Sequence, residues 1–113
     1  MRSLKLIIRL AAAGDILDIA EFLERNASPR VADRFLDAVR SAFTMVGKWP
    51  ALGSSYHSPA FPYGMFRRWP VPGFQAYLMF YIQNKDSVEI IRVVHGARDF
   101  DVLLGVGDAP NQY

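Results

Sequence analysis

The 113-residue chain is 51% hydrophobic and 13% aromatic with a net charge of +2, which suits one packed domain and excludes a disordered tail. It has no cysteine, which removes disulfide and thiol chemistry and fits a reducing cytosol. No run approaches the roughly 20 apolar residues of a membrane span. Lys5 and Arg9 interrupt the apolar start that would otherwise read as a signal peptide.

The first element is "SLKLIIRL" (3–10). It alternates, with Leu4, Leu6, Ile8 and Leu10 on one side and Lys5, Ile7 and Arg9 on the other, the pattern of a half-buried strand. Residues 14–28 follow as a helix. Ile16, Ile19, Ala20 and Leu23 form one apolar stripe, acids lie early and Arg25 late, and Gly14 or Asp15 is the expected cap. The second helix, over 28–50, has the stronger signal. Ser28 is its N-cap and Pro29 lies in the first turn. Ala32, Phe35, Leu36, Val39, Phe43 and Val46 keep the helical period, and Gly47 and Pro50 mark the end. The short link between the two helices predicts an antiparallel hairpin.

Residues 50–64, rich in Pro, Gly and Ser, read as a loop. Three strands are expected after it, over 65–71, 74–83 and 88–95. The middle one is apolar on both faces, with Phe74, Ala76, Leu78, Phe80 and Ile82 on one and Tyr77, Met79 and Tyr81 on the other, which makes it central. The tail 105–113 is expected to be flexible, leaving one domain over 1–104. The order is β-α-α-β-β-β, an α+β fold with the helical hairpin on one face of a mainly antiparallel sheet.

Ten arginines stand against three lysines. Arginine's planar fork suits carboxylate or phosphate partners. The two histidines, His57 and His95, lie far apart in the sequence and make no metal signature. A Ser58–His95–Asp99 arrangement lacks a nucleophile elbow. Arg92 stands among Val88, Ile90 and Val94 on one strand face, and an inward arginine needs a carboxylate. Asp18 is the expected partner, with Asp99 the other candidate. Mixed charge along the second helix, where Asp33 and Asp37 interleave with Arg30, Arg34 and Arg40, argues against direct sequence-specific nucleic-acid binding. If the helices cover one sheet face, Tyr77, Met79 and Tyr81 on the other are left for a partner, and Arg67 or Arg68 should rim that surface.

Three stretches in order carry a family likeness. "GDILDIAEFLERNASPRVADRFLDAV", "WPALG" and "PGFQAYLMFYIQNKDSVEIIRVVHGARDF" resemble the first two helices, the L-x-x-x-P-x-x-G loop and the closing I-x-R-V-x-H-G-x-R-D strand of the ParE/RelE toxins, the ParE branch in particular. The likeness spans nearly all of residues 4–104. It implies the toxin of a type II toxin–antitoxin module, acting in the cytoplasm without a cofactor or metal. The partners it implies are a ParD-like antitoxin that neutralises it and DNA gyrase as the target. RelE-like relatives instead cut mRNA on the ribosome. For that chemistry the resemblance offers Arg98 as the catalytic arginine, with Arg67, Arg68 and His95 beside it. The aromatic acid/base expected beyond Arg98 is missing, since Leu103 and Leu104 fall there, and so is a lysine-rich patch. The expected chain is therefore a binding toxin and not an enzyme, with Arg98 and Asp99 meeting a partner. A degenerate toxin that only binds its antitoxin is the third possibility.

Overall fold

A computed structural model describes residues 4–57 and 66–96. Ser58, Arg98, Asp99 and the 105–113 tail lie outside the described residues. The elements are β1 (Lys5–Ile8), α1 (Leu10–Asn26), α2 (Pro29–Lys48), a 3-10 turn (Pro50–Leu52), β2 (Ser54–Tyr56), β3 (Phe66–Val71), β4 (Phe74–Gln83) and β5 (Ser87–His95). Among the described residues no helix is long and apolar enough to cross a membrane.

The strands form one sheet in the order β1-β5-β4-β3-β2. β1 pairs parallel with β5, and the other three pairings are antiparallel. The expected α+β architecture is observed, with β4 at the centre as its two apolar faces require. β2 is an addition to it, lying within the stretch read as loop. Three residues beginning Ser-Ser show no apolar alternation. They become a strand by pairing with Arg68, Arg67 and Phe66 of β3.

α2 begins as its sequence dictates. Ser28 Oγ accepts the Val31 N–H at 3.1 Å and Pro29 opens the first turn. Gly47 does not end the helix. It is a buried helical residue, and its carbonyl accepts the Leu4 N–H at 3.0 Å. The helix runs to Lys48 and is capped by Trp49, whose N–H reaches the Met45 carbonyl. α1 begins at Leu10, earlier than predicted, with Arg9 at the N-cap and no side-chain cap bond. Asp15 therefore lies in its second turn rather than at its start.

The main core lies between the hairpin and the sheet. Ala12, Ile16 and Ala20 of α1 and Phe35, Val39, Ala42 and Val46 of α2 pack with Met79, Tyr81, Val88, Ile90 and Val93. Phe35 meets Phe74 and Tyr77 edge-on, with ring centroids 5.3 and 5.5 Å away. Phe74 joins this face because the β3–β4 register shifts between Pro70 and Val71, pairing Val71 with Phe74. A second cluster of Phe66, Phe80, Ile91 and Val94 lies across the sheet.

Candidate functional site

β3, β4 and the turn before β2 meet at Tyr81. Its hydroxyl donates to the Pro50 carbonyl at 2.6 Å and accepts the Gly53 N–H at 2.8 Å. Burial pushes the Tyr81 pKa up, against the Gly53 hydrogen bond and the Arg67 charge, which pull it down. Gly53 is required here by close approach. A Cβ would stand 2.5 Å from the Tyr81 hydroxyl and 2.9 Å from the Arg68 carbonyl.

Arg67 and Arg68 flank this junction. Arg67 lies in register with Tyr81, and its Nη1 donates to the Gly53 carbonyl at 2.8 Å. Arg68 lies in register with Phe80, and its guanidinium sits 5.2 Å from the centre of the Tyr56 ring. Neighbouring positions on a strand face opposite sides, so one arginine serves each face.

Arg92 is held by a different acid from the one expected. Its Nε and Nη2 donate to the two carboxylate oxygens of Asp15, each at 2.7 Å, a bidentate fork. Asp15 Oδ2 also accepts the Val93 N–H at 3.0 Å. β1 pairs with β5 only as far as Ile90, so the carboxylate serves β5 where strand pairing has stopped. The Asp15 hydrogen bond raises the Arg92 pKa, outweighing the lowering by desolvation. Asp18 is exposed, and the Arg92–Asp18 pair is corrected to Arg92–Asp15. The sequence signal for Asp15 is a carboxylate directly before Ile16 in the buried stripe Ala12–Ile16–Ala20.

The expected open face is also corrected. Met79 and Tyr81 are 0% exposed and lie under the helices, in the same core as Phe35 and Val39. Tyr77 is half-buried and packs edge-on against Phe35 and His95. A partner cannot reach Met79 or Tyr81. Alternation established that β4 has two apolar faces, but not which one the hairpin takes.

His95, at the exposed end of β5, packs against Tyr77 at 5.3 Å and lies in register with it. Arg67 and Arg68 stand opposite Tyr81 and Phe80, three to four positions along β4, or about 10–13 Å at the usual strand rise. The structure does not gather His95 with these arginines. Arg98 lies outside the described residues. No cluster of three or more potential metal ligands occurs among the described residues.

The outer hairpin has the opposite chemistry. A groove of about 430 Å³ runs between α1 and α2, with Asp18, Glu21, Glu24 and Asp33 among its lining residues. These four acids line the groove between the helices, whereas Arg67 and Arg68 lie at the β3 end of the sheet.

A family model, the ParE toxin of the type II toxin–antitoxin system parDE, matches residues 6–100. Among solved structures, the chain resembles one from the chromosomal ParDE TA system of P. aeruginosa. That likeness has a TM-score of 0.66 at 14% identity and covers 82% of this chain and 96% of the other, a similarity of fold. No curated protein matches the chain.

Proposed function

The chain belongs to the ParE toxin family of type II toxin–antitoxin systems, and from that premise we propose that it inhibits DNA gyrase by binding, with a ParD-like antitoxin holding it inactive in the cytoplasm. The observation that supports binding over catalysis is the engagement of Arg67, an arginine that the ribonuclease reading needs for its phosphate clamp. Arg92 is forked onto Asp15, and Arg67 is tied to the Gly53 carbonyl. A phosphate clamp needs such cations free to meet developing charge. A protein inhibitor needs a rigid surface, and these contacts rigidify the sheet.

The test is a supercoiling assay with purified chain. Inhibition with accumulated cleaved DNA is expected. Gyrase left untouched at micromolar excess, with translated mRNA degraded, would establish the ribonuclease reading instead. Arg98→Ala separates the two further, because a nuclease loses turnover while antitoxin binding persists. Expression alone should arrest growth; a degenerate toxin would not.

A further inference from the structure

The groove between α1 and α2 combines an apolar floor with an acidic rim. Ala20 and Ala32 are buried, whereas Leu17 beside them is 66% exposed. Leu17, Ala20 and Glu24 follow one another at i, i+3 and i+7 on α1, and Pro29, Ala32 and Leu36 do the same on α2. The groove therefore runs for two turns of each helix, about 10 Å. Two alanines at its floor leave room for the ridge of a third helix.

The rim has one sign of charge. Asp18, Glu21, Glu24 and Asp33 are all exposed, and no basic residue lines the groove. Glu21 reaches Arg25 at 3.5 Å. Among the described residues, Asp18, Glu24 and Asp33 have no ion-pair partner. Carboxylates on both helices thus flank the same apolar strip, the arrangement that accepts a helix with one apolar stripe between basic side chains.

The rim also excludes occupants. Nucleic acid would set its phosphates against four carboxylates. Residues 97–113 of this chain carry Asp99, Asp101 and Asp108 against Arg98 alone, and so bring the wrong charge. A second copy offers no basic helix face, since the arginines of α2 interleave with Asp33 and Asp37 and Arg40 is already paired with Asp37.

We propose that this groove is the surface by which the toxin holds its target, and that it takes a basic amphipathic helix of DNA gyrase. An apolar side chain of that helix lies over Ala20 and Ala32 beside Leu17, and its Lys or Arg side chains face Asp18, Glu24 and Asp33. The proposal rests on the gyrase reading above.

The experiment repeats the supercoiling assay with the triple variant Asp18→Asn, Glu24→Gln, Asp33→Asn and, separately, with Leu17→Ala. All four side chains are exposed, so Tm should hold in both variants, and antitoxin affinity is measured beside it. Half-inhibition should need about tenfold more of the triple variant, because three charge contacts are lost. Leu17→Ala should weaken inhibition in the same direction through lost apolar contact. A triple variant that inhibits as well as the unaltered chain overturns the proposal and leaves the gyrase reading standing. If that variant also binds antitoxin less tightly, the groove belongs to the antitoxin instead. An unaltered chain that leaves gyrase untouched brings down the gyrase reading first, and the proposal with it.

Discussion

Tyr81 is the residue on which one end of the sheet depends, since it answers a donor and an acceptor of the Pro50–Gly53 turn with one hydroxyl. Tyr81→Phe should destabilise the fold by about 1–3 kcal/mol, because the Gly53 N–H and Pro50 carbonyl lose their partner. A lower midpoint in urea at unchanged m-value would show this. The same phenol sets an alkaline limit. Its folded pKa is raised, chiefly by burial, so its contribution is complete below the unfolded value of about 10 and is lost as pH rises through the folded one. Across that range the melting temperature should fall less steeply with pH for Tyr81→Phe than for the unaltered chain. Gly53→Ala should be at least as disruptive, since the new Cβ meets a backbone carbonyl that cannot turn aside. None of this was legible in the sequence. Tyr81 read as one aromatic of a two-faced strand, and the P-x-x-G turn gave no sign that it would close over a residue 28 positions later.

Between elements, α1 is fastened to the sheet through a carboxylate. Asp15 holds Arg92 by both oxygens and also serves the Val93 N–H. Its removal leaves a partly buried guanidinium and an amide unanswered. Asp15→Ala should lose about 3 kcal/mol, the low end for a broken buried pair because solvent still reaches both side chains. Asp15→Asn keeps an acceptor for Val93 and should lose less. Denaturant midpoints of both variants and of Arg92→Ala, set in a double-mutant cycle, check the coupling. Ser28→Ala should cost about 1 kcal/mol through loss of the α2 cap. The cap was legible because Ser-Pro before a helical stripe has few other uses. The need of Arg92 for a carboxylate was legible as well. Its identity was not, because the start of α1 was placed too late, and Asp15 then looked like a cap rather than a residue turned to the sheet.

At the scale of the molecule, order and architecture were legible from periodicity, and the side of the sheet taken by the hairpin was not. β4 is apolar in both directions, so only packing against Phe35 and Val39 decides its inner face. The basic side chains of the sheet have a measurable consequence. With Arg67 and Arg68 at one end of the sheet and Lys5 on its far edge, association with an acidic antitoxin should slow as ionic strength rises, while dissociation changes little. Stopped-flow association rates across a salt series measure this. The parallel β1–β5 pair carries a further consequence, for synthesis. Lys5 is in register with Ser87 and Ile8 with Ile90, so the first of the described strands can be seated only after the last of them is made. The helical hairpin can form early from local contacts, but its sheet waits for a pairing that spans most of the chain, the kind of closure that folds slowly. A ribosome making this toxin therefore carries an unfinished sheet until β5 has emerged, and a chain cut short before β5 has nothing to seat β1 against.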